Sequence, residues 1–547
     1  MRAQRNATSS VVTIVVHASF AALTAAAASG ALAQAARSAP LACADLRSAR
    51  IPKTVVAVAE PVPAGQFRSP APLGFGPPVD YSQLPTFCRV AGTIRATAES
   101  DIRFELWLPE NWNGKFMQTG NGGAAGSIVY DSLVDPLLRG YAVANTDTGH
   151  QGGAGDFAWA AGQPQKLIDY QYRAVHELTV AGKALTAARY GRQADRSYWL
   201  GCSTGGRQGL KEAQRYPEDY DGIVAGAPAS NWSPLMLLSV DIQRNMGPSG
   251  LSADKLGLLK EAAIATCDAE DGVADRVITN LATCNFDPKS LQCAAGATAG
   301  CLNPTEVEAA QRIYAGAVDS YGAVVMPGTG PASEPLWAAY ASPQFAIGTS
   351  YLRNVVMNDK SWDPATLDVD RDLARAEAVD NGAAKAMDPD LSAFVDRGGK
   401  LITYHGTTDG LIPYENSVNY HESVVEEIGQ RKADESVKLY LVPGMDHCSG
   451  GEGAFAVDWL TPLERWVEQG EEPAALQAAH PGGARRCRRR ASRSRGPCAR
   501  IRRCRLTVAR ATQRTPRASS ASRPAARGTC GASSGADAGR CDSATLR

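Results

Sequence analysis

The stretch YWLGCSTGGRQGL, residues 198–210, joins an apolar run of strand length to a segment with helical spacing through a glycine-rich turn. Within it, Gly201-Cys202-Ser203-Thr204-Gly205 makes a Gly-x-Ser-x-Gly pattern. In a chain with 53 glycines a lone match is weak, and its place between a strand and a helix is what gives it weight. A serine on so sharp a turn exposes its hydroxyl, and the first backbone N–H groups of the following helix point at a developing oxyanion. The stretch predicts a nucleophile elbow centred on Ser203. It also raises the question of what the adjacent Cys202 is for.

Outward from the elbow, strand-length apolar runs alternate with helical patterns. The runs are RFELWLP (103–109), GKFMQTG (114–120), GYAVANTDTG (140–149), SYWLGCS (197–203), DGIVAGAPA (221–229), KLITYHG (400–406) and VKLYLVPG (437–444). PQKLIDYQYRAVHELTVAGKALTAARYG and GGRQGLKEAQRYP carry apolar residues at helical spacing between them. This order predicts an α/β protein with a mostly parallel sheet covered by helices on both faces. Residues 230–396 break the rhythm with clustered Cys, Asp, Gly and Pro, and read as a domain inserted at the edge of the sheet where ligands bind, in the position of a lid.

A serine nucleophile needs a histidine base and a carboxylate to orient it, in the chain order Ser, Asp or Glu, His. His17 falls in the leader, His480 borders the tail, and His150 and His176 precede the serine. His405 would need its carboxylate inside the insertion. His421 lies in SVNYHESVVEEIGQ, a helical stretch where a solvated face is expected. His447 follows the strand VKLYLVPG in a glycine-rich loop, GMDHCSGGEG, which suits a base. Asp409, after the strand LITYHG, is the carboxylate, because Asp446 adjoins the base and is badly placed to reach its far nitrogen. The expected triad is Ser203, Asp409 and His447. If it is correct, Cys202 and Cys448 are neighbours, and a disulfide between them, with Cα atoms about 5.5–6 Å apart, would pin the base's loop to the elbow.

The chain has 547 residues, 44% apolar and 20% charged, which is globular composition and excludes a disordered or collagen-like protein. Residues 1–33 read as a secretory signal peptide: Arg2 and Arg5 precede an Ala-rich apolar run ending in Ala31-Leu32-Ala33. Export, to the periplasm or outside the cell, makes the 13 cysteines candidates for disulfides. The formal net charge of zero hides a division. From Pro481 onward there are eighteen arginines, no lysine and two aspartates, net +16, so the remainder carries −16. This Arg-rich tail, 476–547, has no periodic apolar face and no interleaved aromatics, and its composition is that of a disordered or frameshifted segment. A basic arm for nucleic acid is the other reading of it.

GCSTGGRQGL, GTTDGLIP and GMDHC together resemble the Cys-Ser, Asp, His-Cys arrangement of the tannase and feruloyl esterase family, which includes mono(2-hydroxyethyl) terephthalate hydrolase. The resemblance extends through NWNGKFMQTGNGGAAG, DTGHQGG and YPEDYDGIVAGAPAS, from about residue 40 to 475, and stops at the tail. It implies an α/β-hydrolase fold, with a catalytic domain from 34–229 and 397–475 and a large inserted lid domain at 230–396. It also implies an oxyanion hole from the N–H groups of Thr204 and of a glycine in GNGG, Gly123 rather than Gly122. The family ends in a further cysteine pair, from which the Arg-rich tail departs.

In TCDAEDGVADRVITNLATC, Asp268, Asp271 and Asp275 crowd one short loop, and hard oxygen donors suit Ca²⁺, although a solvated Asp-rich turn has the same composition. The resemblance implies a structural calcium in the lid, with the carbonyls of Val273 and Val277 completing the set. It goes with disulfides Cys267–Cys284, Cys43–Cys88 and Cys293–Cys301, a connectivity that spacing alone does not choose.

The function expected is that of a secreted serine carboxylesterase acting on feruloyl- or galloyl-type esters or a terephthalate monoester. The alternative is a non-catalytic secreted binding protein for phenolic or polymeric ligands on the same scaffold. The partner expected is a small-molecule aromatic ester, with no nucleic acid and no membrane, and oligomeric state stays open. Trp337, Trp362, Tyr351 and Phe345 are aromatics available to a substrate pocket or to the lid's own core, and Arg353 and Arg371 are cations available to a substrate carboxylate.

Overall fold

The computed structural model describes residues 39–70 and 79–481, and the backbone of 503–507. The expected signal peptide and most of the Arg-rich tail lie outside the described residues.

Strands β1 (Thr54–Val62), β2 (Phe87–Ile94), β3 (Ile102–Pro109), β4 (Lys115–Thr119), β5 (Ala142–Thr146), β6 (Arg196–Cys202) and β7 (Gly222–Gly226) lead into the inserted segment, which holds the short pair β8 (Ala317–Val318) and β9 (Val324–Met326). The chain returns as β10 (Lys400–Gly406) and β11 (Val437–Val442), followed by β12 (Ala456–Val457), β13 (Ala475–Ala479) and β14 (Arg503–Thr507). The main sheet has the order β1-β2-β3-β5-β4-β6-β7-β10-β11. β1, β2, β3 and β5 pair antiparallel, and every pairing from β5 to β11 is parallel. Each run read from the sequence as a strand is one, and the fold is an α/β hydrolase.

Alternation along the strands divides the core into two layers. Trp199 of β6 and Leu401 of β10 face one layer with Leu178, Leu185 and Leu210, while Tyr198, Ile402 and Tyr404 face the other with Leu460, Leu463 and Trp466. The helix Ala174–Tyr190 thus covers one face and Leu460–Gln469 the opposite one. Both faces of the central strands are buried, which is why those runs are almost continuously apolar.

β7 and β10 are direct neighbours in register, Gly222 opposite Lys400, although the whole inserted segment lies between them in sequence. The insertion has its own core, in which Trp232, Leu235 and Ile242 of the helix Trp232–Ser249 pack with Val307, Ile313, Trp337 and Tyr351. Tyr170 and Phe157 of the hydrolase core join that cluster. Within the Arg-rich tail, Arg503–Thr507 forms a strand antiparallel to β13, a local structure that composition gave no reason to expect.

Candidate active site

Ser203 begins the helix Thr204–Arg215 at φ 63°, ψ −123°, a conformation that L-residues avoid. A serine in this position usually caps the helix, yet the Ser203 side chain makes no cap bond, because the left-handed turn carries its hydroxyl away from the helix N–H groups. The turn is fixed by backbone: Ser203 donates its N–H to Gly226 at 3.0 Å, and its carbonyl accepts from Arg207 and Ala229 at 3.1 Å each. Gly206 is required by close packing, since a Cβ there would stand 2.3 Å from the Gly226 carbonyl oxygen.

The other two members of the expected triad sit in loops after β10 and β11. His447 Nδ1 lies 2.7 Å from Asp409 Oδ2. Asp409 Oδ1 accepts the N–H groups of Leu411 and Ile412, both at 2.9 Å. Burial pushes the Asp409 carboxyl up, but His447 beside it and hydrogen bonds from His405 and His447 outweigh burial and hold it well below the usual carboxylate range. Asp446 instead accepts a hydrogen bond from Thr408 Oγ1 at 3.0 Å, and burial pushes it up to about 6. The two loops are tied together by Thr408 N–H to Met445 O at 3.1 Å and Gly444 N–H to Thr407 Oγ1 at 3.0 Å.

Cys202 and Cys448 form a disulfide with Cα atoms 6.0 Å apart. Ser203 and His447 are each covalently adjacent to one end of it, so a single bond joins elbow and base loop. Cys448, like Ser203, has a left-handed φ of 63°. Cys43–Cys88, Cys267–Cys284 and Cys293–Cys301 are also formed.

The loop after β4 faces the start of this helix. Gly120, Asn121, Ala124 and Ala125 donate their N–H groups to Leu200 O, Gln208 Oε1, Ala154 O and Gly122 O. Among the described residues, the N–H groups of Gly122 and Gly123, which lie between these, meet no acceptor, as is also true of those of Thr204 and Gly205 at the helix start. Gly123 is held in place by its carbonyl, which accepts from Thr204 Oγ1 at 2.7 Å and Tyr170 Oη at 3.1 Å. Its φ is 54°, and a Cβ would meet Ala154 O at 2.2 Å.

Several supports of this loop escape a sequence reading. His150 Nε2 donates to Ala124 O at 2.8 Å, its ring stacks 3.5 Å over Trp159, and burial pushes the imidazole down to about 4. Gln208, five residues after the serine, pairs with Asn121 through both side-chain and backbone groups. His421 is half-buried rather than on a solvated face, and burial pushes it down to about 4.

Asp268, Asp271 and Asp275 do not converge in this structure. Asp268 Oδ1 accepts Asp275 N–H at 3.2 Å, but Asp271 turns to Thr279 Oγ1 at 2.5 Å, and the three carboxylates do not all lie within 4.8 Å of one another. The donor set is all oxygen, the chemistry that suits Ca²⁺, although the carboxylates stand apart here.

Among the described residues, the trio with donor atoms that close is His176, Glu212 and Asp219. There His176 Nδ1 binds Asp219 Oδ2 at 2.6 Å and Lys183 binds the Asp219 carbonyl. Burial, then Asp219 beside it, pushes Glu212 well up. Trp337 and Tyr351 are buried in the insertion's core, Phe345 and Trp362 pack at the edges of clusters, Arg371 pairs with Asp372 at 2.6 Å, and Arg353 Nε donates to Trp362 O at 2.8 Å.

A parallel sheet, an elbow serine and a histidine–aspartate pair after the last two parallel strands define the α/β-hydrolase class. The chain belongs to the tannase and feruloyl esterase family, whose sequence model matches residues 88–499. It is 36% identical over 498 residues to an uncharacterized esterase of Xanthomonas campestris pv. campestris, covering 81% of this chain and 84% of that protein. It is 35% identical over 415 residues to a probable feruloyl esterase B-2 of Aspergillus terreus, covering 72% and 78%. The crystal structure of feruloyl esterase B from Aspergillus oryzae superposes with a TM-score of 0.76 at 29% identity, covering 85% of this chain and 95% of that one. The protein is an ester-hydrolysing enzyme of aromatic esters.

Proposed function

We propose a secreted or periplasmic serine carboxylesterase that cleaves feruloyl- or galloyl-type esters or a terephthalate monoester through an acyl-enzyme. The observation that carries this reading is the strained Ser203, joined through Cys202–Cys448 to a His447 that is oriented by Asp409 at 2.7 Å. Ser203 Oγ attacks the ester carbonyl while His447 takes the hydroxyl proton. Asp409 accepts from Nδ1 and so keeps Nε2 free to act as base. The Thr204 and Gly123 N–H groups receive the oxyanion, each worth about 3 kcal/mol in the transition state. His447 then gives its proton to the leaving alcohol, and water, activated by the same base, releases the acid and regenerates Ser203. Four disulfides and the leader read from residues 1–33 of the sequence support an oxidising destination, and among the described residues no helix is long and apolar enough to cross a membrane.

Turnover of methyl ferulate, methyl gallate and the terephthalate monoester by one purified sample tests the reading and ranks the substrates. Hydrolysis of at least one is expected. Inertness toward all three would favour the binding-protein reading instead.

Asp268, Asp271 and Asp275, with the carbonyls of Val273 and Val277, are the residues that would hold Ca²⁺, which would neutralise the loop and fix it. Ca²⁺ at a hundredfold excess over Kd is expected to stabilise chelator-treated protein by about 2.7 kcal/mol, read as a rise in Tm. Asp268→Ala should remove the rise. A Tm indifferent to Ca²⁺ in the unsubstituted protein would exclude the site.

A further inference from the structure

Asp409 is touched by two histidines. His405, at the penultimate position of β10, is fully buried, and its Nε2 lies 3.2 Å from Asp409 Oδ2, the oxygen that His447 uses. The same Nε2 is 2.9 Å from Ile412 O, and Nδ1 is 2.8 Å from Ser417 Oγ. A carbonyl and a carboxylate can only accept, so Nε2 carries a hydrogen whatever the ring's charge. That hydrogen is shared between Ile412 O and Asp409 Oδ2, while Ser417, on the helix Tyr414–Ile428, fixes the ring from its other side.

The Asp409 carboxylate therefore has donors on both oxygens: two backbone N–H groups on Oδ1, and two imidazoles on Oδ2. Rotation about its terminal bond would break all of these contacts together. A second donor on Oδ2 also withdraws negative charge from the oxygen that His447 Nδ1 faces. The other titratable groups facing Asp409 are Tyr340, which donates to Leu411 O at 2.6 Å, and Asp446. Neither contacts Oδ2 by a hydrogen bond.

We infer that His405 is a positioning residue for the proposed triad: its Nε2–H locks the Asp409 carboxylate toward His447 and draws charge from the oxygen that His447 faces. The inference rests on the reading of Ser203, Asp409 and His447 as a triad, and it predicts behaviour that burial of an inert histidine would not.

The test compares His405→Phe, which removes the donor, with His405→Gln, whose side-chain amide nitrogen reaches the Nε2 position, in the full chain with the best ester of the panel. For His405→Phe we expect kcat to fall 10- to 100-fold with KM changed less than twofold, and the acid limb of kcat/KM to move to higher pH by half a unit or more. His405→Gln should recover most of kcat and return the limb. An unmoved acid limb in folded His405→Phe protein, or equal loss in both variants with an unmoved limb, would overturn the inference. Ser417→Ala, a milder change that frees Nδ1, keeps the test open should His405→Phe not fold: a limb shift of the same sign is expected, and no shift counts against the inference. Full activity of Ser203→Ala protein would instead remove the triad reading itself, so the two failures are distinguishable.

Discussion

Ser203→Ala protein is expected to lose kcat by a factor on the order of 10⁵ while KM and the folded state stay close to those of the parent. The magnitude follows from removal of the attacking oxygen, because residual catalysis by the oxyanion donors and by substrate binding recovers only a small part of the rate. Stability should hardly change: alanine and serine suffer equally at φ 63°, and the serine hydroxyl caps nothing. A third variant separates strain from chemistry. Ser203→Gly occupies the left-handed region at little cost and should be more stable than the parent by about 1 kcal/mol, yet equally inactive. Initial rates on an aryl ester, with Tm alongside, decide the matter. Unchanged hydrolysis by Ser203→Ala would end the serine reading.

The second large effect belongs to the disulfide. The Cys202→Ala/Cys448→Ala double variant removes a cross-link that spans 246 residues. Loop-closure entropy puts its contribution at the top of the usual range, about 5.5 kcal/mol. The loss of activity should exceed what partial unfolding explains. Cys448 is itself left-handed, so without the bond the loop bearing His447 is free to relax, and a base displaced by about 1 Å costs on the order of 10²-fold. kcat measured well below the lowered Tm distinguishes the two effects. Mild reduction of the parent should reproduce the kinetic loss before the circular dichroism changes. Full activity in protein verified to carry free thiols at 202 and 448 would contradict the role assigned to the bond.

How far the sequence is legible depends on whether a residue's partners are local. The elbow is legible because strand, turn and helix lie within one continuous stretch, and the central strands are legible because burial on both faces leaves them nearly all apolar. β1 and β2 are not, since β1 alternates exposed and half-buried residues, includes Pro61 and lies at the sheet edge. β14 draws its partner from β13, across the Arg-rich stretch, and nothing local marks it. Within the site, Ser203, Asp409 and His447 each follow a strand, which is a readable position. His405 is set aside in a search for the base because chain order alone cannot show that the loop after β10 curls Asp409 back over it. The Gly122 and Gly123 N–H groups are singled out by where their neighbours' N–H groups go, which only the folded loop reveals. The three aspartates of the 268–275 loop show the converse, for adjacency in sequence does not make them converge in space.

The route of the chain between nucleophile and base has an evolutionary consequence. The inserted segment leaves after β7 and returns at β10, whose first residue is hydrogen-bonded neighbour to the strand just left, and the base is joined to the nucleophile by sulfur across that gap rather than through the insertion. Substitutions or lengthened loops in the inserted segment, away from Tyr340 and its bond to the Asp409 loop, can therefore accumulate without moving the reacting atoms. Such a division lets the inserted segment drift at its own pace while the sheet that carries the elbow stays fixed.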